Sequence, residues 1–321
     1  MLAPDCVRSG RAGAARITCF ILDPRVVDRR SYPDRNCGCT LLRSYGGSLT
    51  IMKLLDYFDR TCIINLPERA DRLRLLEREL VCFGGDIHGT KVQVPYAPRP
   101  DDANGFFSKG VYGSFLSHLN ILREAIRDGL QTVWILEDDA TFSRRMAREQ
   151  DQIIDVLRRT SWDLCYFGHN LTYELAGAEK GLVPHTALFH WAHCYAVHSR
   201  VLPRLVEYLE ETLSNPPGHP RCGRVYIDAA YSAFRWFNPD VVTLVANPAM
   251  SLQRGSVSSL AGGHWYDRQA LLVPLVSLAR SARDELWRRT GVYFGRFPQN
   301  RQPDAAKRPT QPLAAPSGNL P

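Results

Sequence analysis

Three adjoining carboxylates, Glu137-Asp138-Asp139, follow the apolar run Val133-Trp134-Ile135-Leu136. Like charges this close disfavour one another's ionised forms, so the cluster calls for an offsetting charge. A divalent cation supplies one: Mg2+ and Mn2+ take carboxylate oxygens and keep positions open for substrate phosphates. The plainer reading is an acidic loop capping the next helix, and spacing alone leaves both open.

Such a cluster must be held by a strand end. Thr132–Leu136 is continuously apolar, as a strand buried on both faces would be. Thr61–Leu66 is a second such run, stopped by Pro67. Leu73, Leu76, Leu80 and Phe83 recur at helical spacing before Gly84-Gly85. Val111–Asp128 reads as a helix with the stripe Phe115, Leu119, Leu122 and Ile126. Helices over Met146–Leu157, Arg200–Leu213 and Val225–Trp236, with strands at Leu164–Phe167 and near Tyr195, continue the alternation. Asn215–Gly223 reads as a loop. The pattern predicts an α/β fold, a mainly parallel sheet flanked by helices. Ligands in such sheets bind outside the carboxyl ends of the strands, where the acidic cluster lies.

The net charge of +7 is unevenly spread. Residues 1–51 carry 8 Arg against 4 Asp, and residues 288–321 carry 6 basic residues against Asp304. The remainder is close to neutral, which argues against nucleic acid as a partner. Residues 1–51 lack helical or strand period and read as a doubtful or disordered extension, with Met52 the expected start. A single α/β domain is expected over 52–265. Over 266–297 an amphipathic helical segment is expected, with Leu271, Leu272, Leu275, Leu278 and Leu286 on one side. It reads as a helix packed on the body, with peripheral membrane contact through its basic residues as the alternative. Residues 298–321 read as a disordered tail. The 9 cysteines form no zinc-knuckle pattern and suit a reducing compartment. No apolar stretch approaches the ~18 residues that span a bilayer. Cytoplasmic residence, peripheral on the inner membrane face at most, is the default.

The run Ile63-Ile64-Asn65-Leu66-Pro67-Glu68-Arg69-Ala70-Asp71-Arg72 resembles the opening signature of glycosyltransferase family 25, the lipopolysaccharide and collagen galactosyltransferase group. Gly113-Ser114-Phe115-Leu116-Ser117-His118 is similar to its Gly-Cys-x-x-Ser-His element, with Ser114 in place of Cys. Trp134 to Phe142 resembles its Glu-Asp-Asp segment, and Ala192 to Arg200 and Ile227-Asp228 resemble two later elements in family order. Lys180–His190 and the C-terminal third match poorly.

The resemblance implies that the domain over 52–265 is nucleotide-binding, with a glycosyltransferase A-type fold, and that it transfers a sugar, most often galactose, from a UDP-sugar to a glycan or glycolipid acceptor such as lipopolysaccharide. It implies that Asp139 ligates Mn2+ or Mg2+, with Asp138 on the ion or the donor ribose and Glu137 behind them. Asn65, Arg69 and Arg72 would hold the nucleotide, and Ser117 and His118 would line the donor site. For Arg72 a solvated helix face is the plainer alternative, and for His118 a hydrogen-bonded core residue. Inversion at the anomeric carbon requires a base; Asp228 is the first candidate and His193 the second. An ordinary helix-start Asp is the plainer reading of Asp228. A non-catalytic scaffold on a degenerate transferase fold, or a metal-dependent phosphodiesterase using the same acids, are the rival functions.

Overall fold

The computed structural model describes residues 52–84, 88–171, 175, 179–254 and 273–290. The extension over 1–51, the tail over 298–321 and the helix start expected before residue 273 lie outside them.

The apolar runs form the strands that their composition predicts. β1 (Arg60–Ile64) and β3 (Thr132–Glu137) lie side by side and parallel, with Ile64 opposite Glu137. β2 (Val92–Gln93) extends this edge, and β5 (Leu164–Tyr166) pairs in parallel with β8 (Thr243–Asn247). β6 (Gly181–Pro184) and β7 (Cys194–His198) run against their neighbours, giving the order β2-β1-β3-β7-β5-β8-β6. Five of the seven strands therefore run one way, with β7 reversed at the centre and β6 reversed at the edge. The central reversal was not foreseen, because a continuously apolar strand reads the same in either direction. A two-stranded ribbon pairs β4 (Ala140–Phe142) with β9 (Ser251–Gln253).

Successive side chains of a strand point to opposite faces, so β3 feeds two cores. Val133 and Ile135 join Phe115, Leu119 and Leu122 of α3 (Lys109–Arg127), with α6 (Leu202–Ser214) and α7 (Ile227–Phe237). Trp134 and Leu136 join Leu54 of α1 (Leu54–Tyr57), Leu76 and Leu80 of α2 (Ala70–Leu80), and Ile153. The result is three layers with helices on both faces. Ile126, expected on the buried stripe of α3, is 42% exposed; Ala125 faces the core instead.

The helix expected over Met146–Leu157 is two, α4 (Arg144–Arg148) and α5 (Gln150–Arg159), separated at Glu149. α8 (Val273–Thr290) packs against α4 and β4, with Trp287 buried and Arg144 paired to Glu285. Leu278 and Leu286, expected on its buried side, are exposed because Trp287 sets the inward face. Among the described residues no helix is long and apolar enough to cross a membrane.

Candidate active site at the acidic turn

β3 ends in the turn Glu137-Asp138-Asp139, and β4 starts at the next residue. The turn is pinned by its backbone: Asp138 N–H donates to Ile64 O (3.0 Å) and Glu137 N–H to His193 O (2.8 Å). It faces a cleft of about 470 Å3 lined by Arg72, Lys109, Ser117, Glu137, Asp138, Asp139 and Arg254, among others.

The opposite wall is the start of α3. Ser108 caps it, its Oγ accepting from Val111 N–H, so the helix points its N-terminus and Lys109 at the cleft. Helix N-termini carry free N–H groups and a partial positive charge that suit phosphate. Gly113 allows this wall to form. A Cβ there would lie 2.7 Å from Pro98 O, so the 97–100 segment can lie on α3 only without a side chain.

Each acid of the turn is held differently. Arg72 Nη1 donates to Asp138 Oδ1 at 2.9 Å and reaches Asp139 Oδ2 at 3.4 Å. Asn65 Nδ2 donates to Asp138 Oδ2 at 2.8 Å, so both Asp138 oxygens are engaged. Glu137 meets His118 Nε2 (3.4 Å) and accepts from Gln253 Nε2 (3.0 Å). Burial pushes its carboxyl up, but His118, His193 and Gln253 together hold it below the usual carboxylate range. Asp139 is the exception. Its Oδ1 is buried without a hydrogen-bond partner, and burial with the Glu137 and Asp138 charges raises its pKa to about 7, against Arg72 and Arg254. Arg72 and its neighbours thus supply part of the offset first ascribed to a dication, and what they leave unmet shows in the raised pKa of Asp139.

That residue fits a divalent cation. Among the described residues no cluster of three His, Cys, Asp or Glu could enclose a metal alone. Mg2+-type sites need no such cage, being completed by substrate phosphates and water around one or two carboxylates. Asp139 Oδ1 would be the protein ligand, with Asp138 committed to Asn65 and Arg72.

The other expected residues divide. Ser117 lines the cleft, its hydroxyl donating to Gly113 O. Asn65 holds Asp138, and Arg69 pairs with Asp71; neither lines the cleft. Arg72 is buried, so the solvated-face reading fails. His118 is fully buried behind Glu137, its Nδ1 2.8 Å from Tyr195 OH, which meets Tyr231 OH at 2.6 Å. His193 is enclosed in the core, where burial lowers its pKa to about 4, and it cannot meet an acceptor hydroxyl in this arrangement. Asp228 lies outside the cleft lining; it accepts from the N–H groups of Trp191 and Ala229.

Sequence reasoning passed over Gln253 and Arg254. The β4–β9 ribbon delivers them: Arg254 N–H donates to Asp139 O (2.7 Å), and its guanidinium to Glu79 (2.7 Å). Glu79 in turn accepts from Thr141 and from Phe142 N–H. No local pattern marks residues more than a hundred positions from the acids they serve.

A family model, Glycosyltransferase family 25 (LPS biosynthesis protein), matches residues 88–179, which include α3, β3 and the acidic turn. Over those residues the chain is similar to glycosyltransferase family 25. Procollagen galactosyltransferase 1 of Danio rerio is 32% identical over 135 residues, 35% of this chain and 21% of that protein. Inactive glycosyltransferase 25 family member 3 of Mus musculus is 36% identical over 63 residues, 19% of this chain and 11% of that one. The chain thus spans about a fifth or less of the length of these relatives. A solved glycosyltransferase involved in glycosylation of the major capsid of PBCV-1 aligns at 11% identity and TM-score 0.35, covering 71% of this chain and 99% of that one. A likeness that low does not bear on the fold.

Proposed function

We propose that this chain moves a sugar, galactose favoured, from a UDP-sugar to a hydroxyl of a cell-envelope glycan such as lipopolysaccharide, on an A-type fold and with Mn2+ or Mg2+. The observation that carries the reading is the buried Asp139 Oδ1 that has no hydrogen-bond partner, on a residue lining the same cleft as the capped N-terminal turn of α3. Acid on one wall, and Lys109 with the partly positive N–H groups of a helix start on the other, suit a diphosphate bridged to a cation.

Lys109 and the first turn of α3 bind the diphosphate oxygens. Ser117 sits within reach of the same cleft. Arg72 braces Asp138 and Asp139, so the oxygens are fixed before the substrate arrives. A cation held on Asp139 would neutralise the leaving UDP as the glycosidic bond breaks. Asp228, outside that lining, is the candidate for the base that takes the acceptor proton as the acceptor oxygen bonds to the anomeric carbon and the bond to UDP breaks.

The test is calorimetric titration of UDP with and without Mn2+. Mn2+-dependent UDP binding is expected, weakened at least ~10-fold in Asp139→Asn, since even outer residues of metal sites cost that much. Binding unchanged by the substitution would refute the metal role.

The second reading, a non-catalytic scaffold, is favoured by the complete engagement of Asp138 and by relatives named as inactive. It predicts UDP binding without release of sugar from UDP-galactose. A phosphodiesterase would cleave a phosphodiester with no sugar donor present.

A further inference from the structure

Phe107 and Tyr226 are exposed over 77% and 44% of their surfaces, yet their rings lie 5.9 Å apart, tilted by 35°. Scattered apolar residues on a surface mean little, but two large aromatics left together in water mark a contact face. Their placement is built. Phe106 is buried and stacks on Tyr112 at 4.9 Å, which turns the next side chain, Phe107, outward. Tyr226 is the N-cap residue of α7.

The pair sits at the junction of two elements already described. Phe107 precedes the α3 cap Ser108, and the next two residues, Lys109 and Gly110, line the cleft. Tyr226 lies two positions before Asp228, whose carboxylate accepts from Trp191 N–H and is 3.8 Å from His190 Nδ1. Trp191 itself has φ +78°, a strained backbone for a bulky side chain and one that concentrates at functional sites. Asp228 Oδ2 holds it there.

We infer that Phe107 and Tyr226 form a platform for a pyranose ring of the acceptor, with Asp228 and His190 taking hydrogen bonds from its hydroxyls. The inference rests on the cleft being the donor site. A sugar ring offers an apolar C–H face that lies flat on aromatic rings, and hydroxyls that donate to carboxylate. Charge separates this occupant from a second nucleotide: phosphate is drawn to Lys109, Arg72 and Arg254 in the cleft and repelled by Asp228.

Saturation-transfer NMR with methyl β-galactopyranoside and methyl β-glucopyranoside tests this on the full chain, alongside calorimetric UDP titration. At least one pyranoside should receive saturation on one ring face. Phe107→Ala and Tyr226→Ala should each cut that transfer about fivefold, as loss of an aromatic contact does, with UDP affinity unchanged. Tyr226→Phe should keep it. Equal transfer in the alanine variants overturns the platform, as does transfer to neither pyranoside. Failure of UDP to bind would strike the donor reading instead, since the pyranoside measurement needs no nucleotide.

Discussion

Arg72 is the residue whose loss should be felt most. Its side chain is only 9% exposed and Asp138's is 10% exposed, so Arg72→Ala leaves buried carboxylates without their cation. Breaking a buried pair on one side costs about 3–5 kcal/mol. Urea unfolding should show that loss. Arg72→Lys should recover only part of it, because an ammonium lacks the planar fork of guanidinium. At this scale the sequence was readable where chemistry is dense. The three acids, Arg72 and Ser117 were named and meet at one cleft. His193 was misjudged as a proton acceptor for substrate because nothing in Ala192-His193-Cys194 says which way the ring faces. A residue at the start of an apolar strand can look outward to a cleft or inward to the core, and only the neighbouring layer decides.

Among the elements, the wall formed by α3 and the 97–100 segment is the most sensitive to a single atom. Gly113→Ala places a Cβ 2.7 Å from Pro98 O and 3.2 Å from Pro100 Cδ, too close for either to remain. Overpacking of this kind costs about 1–3 kcal/mol. The segment must lift from the helix, so UDP should bind more weakly and melting should fall together; a change in neither would show that the wall yields freely. Helices were legible because their apolar spacing is local. α3 was placed within two residues of its observed ends, and Ser108 supplies the cap that fixes its start. The ribbon of β4 and β9 was not legible: three-residue strands carry too few side chains to show alternation, and their register depends on each other.

For the molecule as a whole, His193 links stability to pH. Burial depresses its pKa from 6.5 to about 4, so the folded state favours the neutral ring. Its contribution is fully present above 6.5 and is lost as pH falls from there to about 4, by about 3 kcal/mol at most. Denaturant unfolding across that range should show the decline, and His193→Gln should flatten it. Fold class was legible at this scale because alternation of strand and helix leaves few architectures open. Strand direction was not, since it depends on the route by which the chain returns to the sheet. That route has a consequence for synthesis. β3 and β5 are laid down first, but each pairs with β7 and neither with the other. A nascent chain that has emerged only as far as residue 190 therefore carries a slot between two apolar strands, both with open backbone edges. Such edges recruit other chains. Translation halted there should give a product that sediments, whereas one halted after residue 254 should stay in solution, because the wedge that shuts the slot has by then arrived.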